Sequence, residues 1–152
     1  MALDDTDRTL LTALQRDARL TNHELGELLH LSASQAGRRR QALENAGVVQ
    51  GYRARLHADR VDLSVQAFVQ VVMASHNPEH ASEFLRHCHA SREIVSVWSL
   101  TGDADYLLRI YCRDLARFNR VLQQELLQHR AVSRVHSQVV LDQVKDDAAL
   151  PI

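Results

Sequence analysis

The chain has 152 residues, of which 45% are hydrophobic and 24% charged, with a formal net charge of −1. This balance excludes fibrous and intrinsically disordered classes and allows one mid-sized or two small domains around a real core. No apolar run approaches the roughly 20 residues of a membrane helix. The acidic opening has no signal-peptide pattern, and Cys88 and Cys112 have no close-spaced partner, so a cytoplasmic protein without a disulfide framework is expected.

Leu10, Leu11 and Leu14 follow the acidic Asp4, Asp5 and Asp7 at helical spacing, and Asp17-Ala18-Arg19 ends that helix. Thr21-Asn22-His23-Glu24 is a capping box opening a second helix whose apolar face is Leu25, Leu28 and Leu29, with an end near His30-Leu31. Ser32-Ala33-Ser34-Gln35 is a further capping box, and a third helix runs through Ala36, Leu43 and Ala46 to a left-handed cap at Gly47. Val48–Leu56 alternates apolar and polar residues, which predicts a short wing strand.

Charge is uneven along the chain. Arg38–Arg60 holds arginines 38, 39, 40, 53, 55 and 60 against Glu44 and Asp59, a local balance of +4. Two helices joined by a tight turn, the second led by short polar residues and carrying arginines, describe a helix-turn-helix. Ser32, Ser34 and Gln35 suit base edges or phosphates, Arg38 and Arg39 can fork onto guanine or phosphate, and Arg53 suits backbone phosphate beside the helix. The alternative is a three-helix protein-interaction module with solvated arginines. Gly37 weakens the third helix by about 1 kcal/mol relative to Ala. Arg40 shares the face of Ala36 and Leu43, so its stem is expected along the core edge with its head in water or on phosphate.

Val65–Met73 is β-rich and nearly apolar on both faces, and Asn77-Pro78-Glu79 opens a helix carrying Ala81, Phe84, Leu85 and Cys88. Ile94–Leu100 and Tyr106–Cys112 form a hairpin closed by Thr101–Asp105, with Trp98 on the face of Ile94 and Leu100. A helix through Leu115, Phe118, Val121, Leu122 and Leu126 precedes a last strand, Val132–Val144. The order β-α-β-β-α-β is the split, ferredoxin-like arrangement. Helices cover only one face of such a sheet, so the other predicts an obligate dimer. The fold class is therefore α+β. A winged helix-turn-helix domain spans 1–52, a linker strand 53–64, and a ferredoxin-like dimerisation and effector domain 65–152.

This order resembles the leucine-responsive/asparagine regulator (Lrp/AsnC) family of bacterial and archaeal transcription factors. The similarity lies in Leu3-Asp4-x-x-Asp7-x-x-Leu10-Leu11, Leu14–Arg19, Glu24-Leu25-Gly26-x-Leu28 and Leu31-Ser32-x-Ser34. It continues through Arg38-Arg39-x-x-x-Leu43-Glu44-x-x-Gly47-Val48-Val49-x-Gly51-Tyr52, Thr101-Gly102-Asp103-Ala104-Asp105-Tyr106 and Val139-x-Leu141-x-x-Val144-Lys145, and so spans essentially the whole chain. Departures are Gly26 for a usual Ala, and Gly37 and Arg40 within the third helix.

The resemblance implies a regulator that binds double-stranded DNA through Ser32, Ser34, Gln35, Arg38 and Arg39. It further implies homodimers, assembling into tetramers or octamers, and a small amino-acid-like effector. That effector would bind between dimers, at Gly102, Asp103, Asp105 and Tyr106, with Ser137 and Gln138 opposite. A Gly/Asp turn can supply a carboxylate for an ammonium and N–H groups for a carboxylate, but the same residues also build a tight hairpin turn.

Nine histidines raise the question of metal. His76 and His80 are separated by Asn77-Pro78, and neighbours in His87-Cys88-His89 lie about 100° apart on a helix, so no metal site is expected. No catalytic triad, P-loop or dinucleotide motif is present, and no cofactor is expected. An enzymatic alternative comes from sirohaem decarboxylases, which resemble the same two-domain family. Another is a co-regulator that binds only proteins.

Overall fold

The computed structural model describes residues 2–75 and 77–152, so His76 and the pairing considered for it lie outside the described residues. The chain divides into two compact units, one of residues up to Arg55 together with Val144–Ile152, the other Leu56–Gln143.

The first unit is built from three helices, α1 (Asp5–Arg16), α2 (Asn22–Leu29) and α3 (Ala33–Asn45). Each opens on a reciprocal capping box, Asp4/Asp7, Thr21/Glu24 and Ser32/Gln35. The last two are the boxes expected from sequence. Because an N-cap is worth about 1 kcal/mol, these caps fix where each helix starts. His30 closes α2 in the left-handed conformation (φ 55°), and the Leu31 N–H donates to the Gly26 carbonyl at 2.8 Å. That compresses the connection to α3 into a helix-turn-helix turn. Leu10, Leu11, Leu14, Leu25, Ala36 and Leu43 form its core, whereas Leu28, expected on the apolar face, is 52% exposed. Gly47 adopts φ 70°, the left-handed cap that its position predicts.

The wing does not form. Val48–Leu56 alternates as a strand should, yet no part of it is a strand. A strand needs a partner for its ladder. Here Val48 and Val49 instead donate back to the Leu43 carbonyl, and Val49 packs on the helical core. Nor is the span 53–64 a strand; its regular element is a 3-10 turn, Ala58–Val61. Val144–Ile152 groups with the helices rather than with the second domain. The Gln15 amide pairs with the Leu150 backbone in both directions, at 2.6 and 3.2 Å, and Arg55 meets Asp146 at 3.3 Å.

The second unit contains β1 (Val65–Met73), α4 (Pro78–Ala90), β2 (Ile94–Ser99), β3 (Tyr106–Cys112), α5 (Leu115–Arg120) continuing as a π-helical segment (Val121–Leu126), and β4 (Val132–Val139). The antiparallel sheet has the order β2-β3-β1-β4, as the ferredoxin-like arrangement requires. Val65, Ala67, Val69 and Val71 face the helices and pack with Phe84, Cys88, Phe118, Val121 and Leu126. Burial pushes both cysteine thiols up to about 11, as befits small core residues rather than nucleophiles.

The opposite face of β1 carries Gln66, Phe68, Gln70 and Val72, so it is mixed rather than nearly apolar. Trp98 also differs from expectation. The register shifts between Ile94, paired with Ile110, and Ser96, paired with Arg109. Such a bulge reverses the alternation. Ile94 is therefore buried under the helices, while Trp98, opposite Leu107, is 44% exposed on the uncovered face. The last strand ends at Val139 rather than Val144, because its ladder ends where β1 begins, with Val140 donating to Gln66.

Two glycines in the helix-turn-helix respond oppositely to Ala. A Cβ on Gly26 would lie 2.7 Å from the Leu31 backbone oxygen, whereas one on Gly37 would meet only the Asn22 side-chain amide at 2.7 Å. Asn22 is exposed and its amide can swing aside. In urea titrations followed by circular dichroism, Gly26→Ala destabilises the protein by about 1–3 kcal/mol. Gly37→Ala is neutral or stabilises by up to about 1 kcal/mol.

Candidate nucleic-acid interface and effector cavity

The N-terminal turn of α3 holds the short polar groups singled out from sequence, but capping commits part of their chemistry. The Ser32 hydroxyl accepts from the Gln35 N–H at 3.2 Å, and the Gln35 side-chain oxygen accepts from both Ser32 N–H and Oγ at 3.0 Å. What remains exposed is the Gln35 amide NH2 and the Ser34 hydroxyl, 3.1 Å from Ser32 Oγ.

The arginines divide the same way. Arg38 is exposed and has no hydrogen-bond or ion-pair partner among the described residues, and the same is true of Arg53. Arg39 points inward, its Nη1 donating to Asp4 at 2.8 Å and to Asp7 at 2.7 Å. The Asp7 N–H first, and the Arg39 guanidinium second, hold the Asp4 carboxyl below its ordinary value. Arg40 is a clasp rather than a phosphate-seeking cation. Its guanidinium reaches Glu44 Oε1 at 3.0 Å, the Tyr52 hydroxyl at 3.1 Å and the Leu20 carbonyl at 3.0 Å, and lies over the Tyr52 ring. The Tyr52 hydroxyl donates to Glu44 at 2.7 Å, and that contact, then Arg40, lowers the Glu44 carboxyl. The local +4 therefore overstates the outward charge.

Within a single chain the six effector candidates do not share one cavity. Gly102 (φ 108°) and Asp103 lie on the exposed hairpin loop. Asp105 holds the sheet together: its carboxylate accepts from Met73 N–H at 2.7 Å and its own N–H donates to Val71 at 2.9 Å. Tyr106 packs on the helix side, its ring 5.6 Å from Phe84. Ser137 and Gln138 are successive residues of one strand and point to opposite faces. Instead, Asp103 shares a cavity of about 260 Å³ with Gln70, Val72, Ala104, Arg134, Val135 and His136. Arg134 and His136 were missed from sequence. The available signal was period two along β4, which sets them on the face of Val72 and Gln70.

Among the described residues, no three His, Cys, Asp or Glu side chains are placed to hold a metal ion. His87 and His129 approach with ring centroids 5.5 Å apart beside Phe84. Burial first, then His87, lowers the His129 imidazole; His80 and Arg130 act in the same direction and Glu83 against. No helix among the described residues is long and apolar enough to cross a membrane.

Residues 3–44 match the AsnC-type helix-turn-helix domain and residues 66–150 the Lrp/AsnC ligand-binding domain. The chain belongs to the Lrp/AsnC family. Members of this family are transcriptional regulators, not enzymes. The leucine-responsive regulatory protein of Escherichia coli is 32% identical over 150 residues, covering 99% of this chain and 92% of its own. The transcriptional regulatory protein DoeX of Halomonas elongata is 31% identical over 149 residues, covering 98% and 94%. A Neisseria meningitidis transcriptional regulator solved as an L-Met complex superposes with a TM-score of 0.93 at 37% identity, covering 99% of this chain and 97% of that one. The Lrp/AsnC assignment thus covers both units.

Lowered carboxylates lie in both units, whereas the lowered imidazole of His129 lies in the sheet unit. Asp4, Glu24 and Glu44 sit below their ordinary values of 3.8, 4.5 and 4.5. Their contribution is complete above those values and is lost as pH falls through the lowered folded ones. His129 sits below its ordinary 6.5, so its contribution is complete above 6.5 and is lost on acidification below it. Amide exchange read between pH 7.5 and 5 is expected to show the sheet unit weakening as pH falls below 6.5, and exchange there that does not change over this range would count against it.

Proposed function

We propose that this Lrp/AsnC protein is a cytoplasmic, sequence-specific DNA-binding transcriptional regulator acting as a homo-oligomer and responding to an amino acid or related small metabolite. The observation that carries the reading is the exposed edge of α3. Ser34, the Gln35 amide and Arg38 face outward from a helix held by its cap and two inward arginines. A recognition helix needs short polar donors at its N-terminus and a cation one turn later. Arg53 adds a phosphate contact beside it.

The uncovered sheet face supports pairing of two copies. Trp98, Phe68 and Leu107 lie together on it by register, and burying them against the same face of a second chain removes apolar area from water. A dimer of helix-turn-helix units reads a pseudo-palindromic site. The leucine-responsive relatives and the L-Met complex support an amino acid as effector.

The test is fluorescence anisotropy of the purified protein on the duplex upstream of its own gene, against a scrambled duplex, at two salt concentrations. Binding that prefers the natural duplex and weakens steeply with salt is expected. A folded oligomer with no preference between the two duplexes would overturn the reading.

A further inference from the structure

The helical unit commits two charged side chains to one half-exposed tyrosine. Arg40 Nε donates to the Tyr52 hydroxyl at 3.1 Å and to Glu44 at 3.0 Å, and the hydroxyl donates to Glu44 at 2.7 Å. The Arg40 guanidinium also lies over the Tyr52 ring, 4.9 Å from its centre. Tyr52 stays 43% exposed, so this is not the burial of a core aromatic. Nor is the clasp what stops α3. That end is closed by backbone bonds, Gly47 donating to the Glu44 carbonyl and Val48 and Val49 to that of Leu43. The clasp instead fixes chain with little other support. Residues 50–57 form no helix or strand, and Gly51 (φ 150°) admits a turn just before Tyr52. Further on, Arg55 meets Asp146 at 3.3 Å, an exposed pair that water weakens.

The clasp sits on a particular side of α3. At about 100° per residue, Glu44 lies about 120° around the helix from Arg38, on a flank rather than on the outward edge. The same flank receives the start of α2: the Leu20 carbonyl accepts from Arg40, and the Asn22 amide lies against Gly37. In a helix-turn-helix the first helix crosses the DNA backbone, so this flank is the one beside a phosphate strand. Arg53 follows Tyr52 directly, its Cα about 3.8 Å from that of the clasped residue. A cation on fixed backbone has already lost the chain freedom that binding a phosphate would otherwise cost.

We infer that Tyr52 is a positioning residue for DNA: clasped between Arg40 and Glu44, it holds Arg53 against a backbone phosphate on the α2 side of the recognition helix. The inference rests on the reading of the helical unit as a DNA reader. It also accounts for Arg40 on the face of Ala36 and Leu43, where an aliphatic side chain would pack but could not bond Tyr52 or the Leu20 carbonyl. Tyr52 is uncharged at neutral pH and its hydroxyl is committed to Glu44 and Arg40, so it takes no direct part in counterion release.

Positioning and contact are therefore separable. Affinity for the duplex upstream of the gene is measured against salt for the wild type, Arg53→Ala, Tyr52→Ala and the double variant, with circular dichroism to confirm folding. Arg53→Ala is expected to flatten the log-affinity against log-salt slope by about 1. Tyr52→Ala removes no charge, yet flattens the slope nearly as much, and adding Arg53→Ala to it changes the slope no further. Tyr52→Phe keeps the ring under Arg40, loses only the hydroxyl and flattens the slope in part; it stands in for Tyr52→Ala if that variant does not fold. A folded Tyr52→Ala protein, or Tyr52→Phe in its place, with the wild-type slope overturns the positioning role and leaves the regulator reading standing. So does a double variant whose slope falls by the sum of both changes, or an Arg53→Ala protein with an unchanged slope. A folded wild-type oligomer with no preference for the natural duplex over a scrambled one overturns both.

Discussion

One guanidinium nitrogen, Nη1 of Arg39, donates to both Asp4 and Asp7 and so joins the cap of α1 to the middle of α3. Asp7 is only 9% exposed, and a carboxylate that far from water is costly unless a cation meets it. The outward face of α3 depends on this contact. With Arg39 held inward on one side and Arg40 clasped to Glu44, Tyr52 and the Leu20 carbonyl on the other, rotation of α3 is blocked. The edge left outside is the one that carries Ser34 and Arg38.

The same division between holding and reaching recurs in the sheet unit. Asp105 and Asp103 are two residues apart on one loop, yet Asp105 bonds the end of β1 while Asp103 borders the cavity with Arg134 and His136. In both units a polar group that looks functional in the sequence is committed to placing its neighbour. A recognition edge or a ligand cavity must be rigid to discriminate, and its rigidity comes from hydrogen bonds and ion pairs just behind it.

What could be read from the sequence was what local chemistry decides. The capping boxes at Thr21 and Ser32, the left-handed cap at Gly47 and the βαββαβ order depend on residues a few positions apart or on period alone. The departures all arise from distant partners. Arg39 looked like a DNA contact because Asp4 and Asp7 lie more than 30 positions away, and nothing in α3 announces them. Val48–Leu56 alternates like a strand but has no ladder to join. The bulge between Ile94 and Ser96 moved Trp98 to the other face, and the start of β1 decided where β4 ends.

On the proposed reading, Arg38 reaches DNA while Arg39 holds the helix. The most direct measurement is the salt dependence of operator affinity for the wild-type protein and for the single variants Arg38→Ala and Arg39→Ala, each checked for folding. Arg38→Ala is expected to weaken binding and flatten the log-affinity against log-salt slope by about 1. Arg39→Ala is expected to lower the unfolding temperature of the helical unit and leave the slope of the folded protein unchanged. A folded Arg39→Ala protein of ordinary stability whose slope falls as it does for Arg38→Ala would overturn this division of roles between the two arginines.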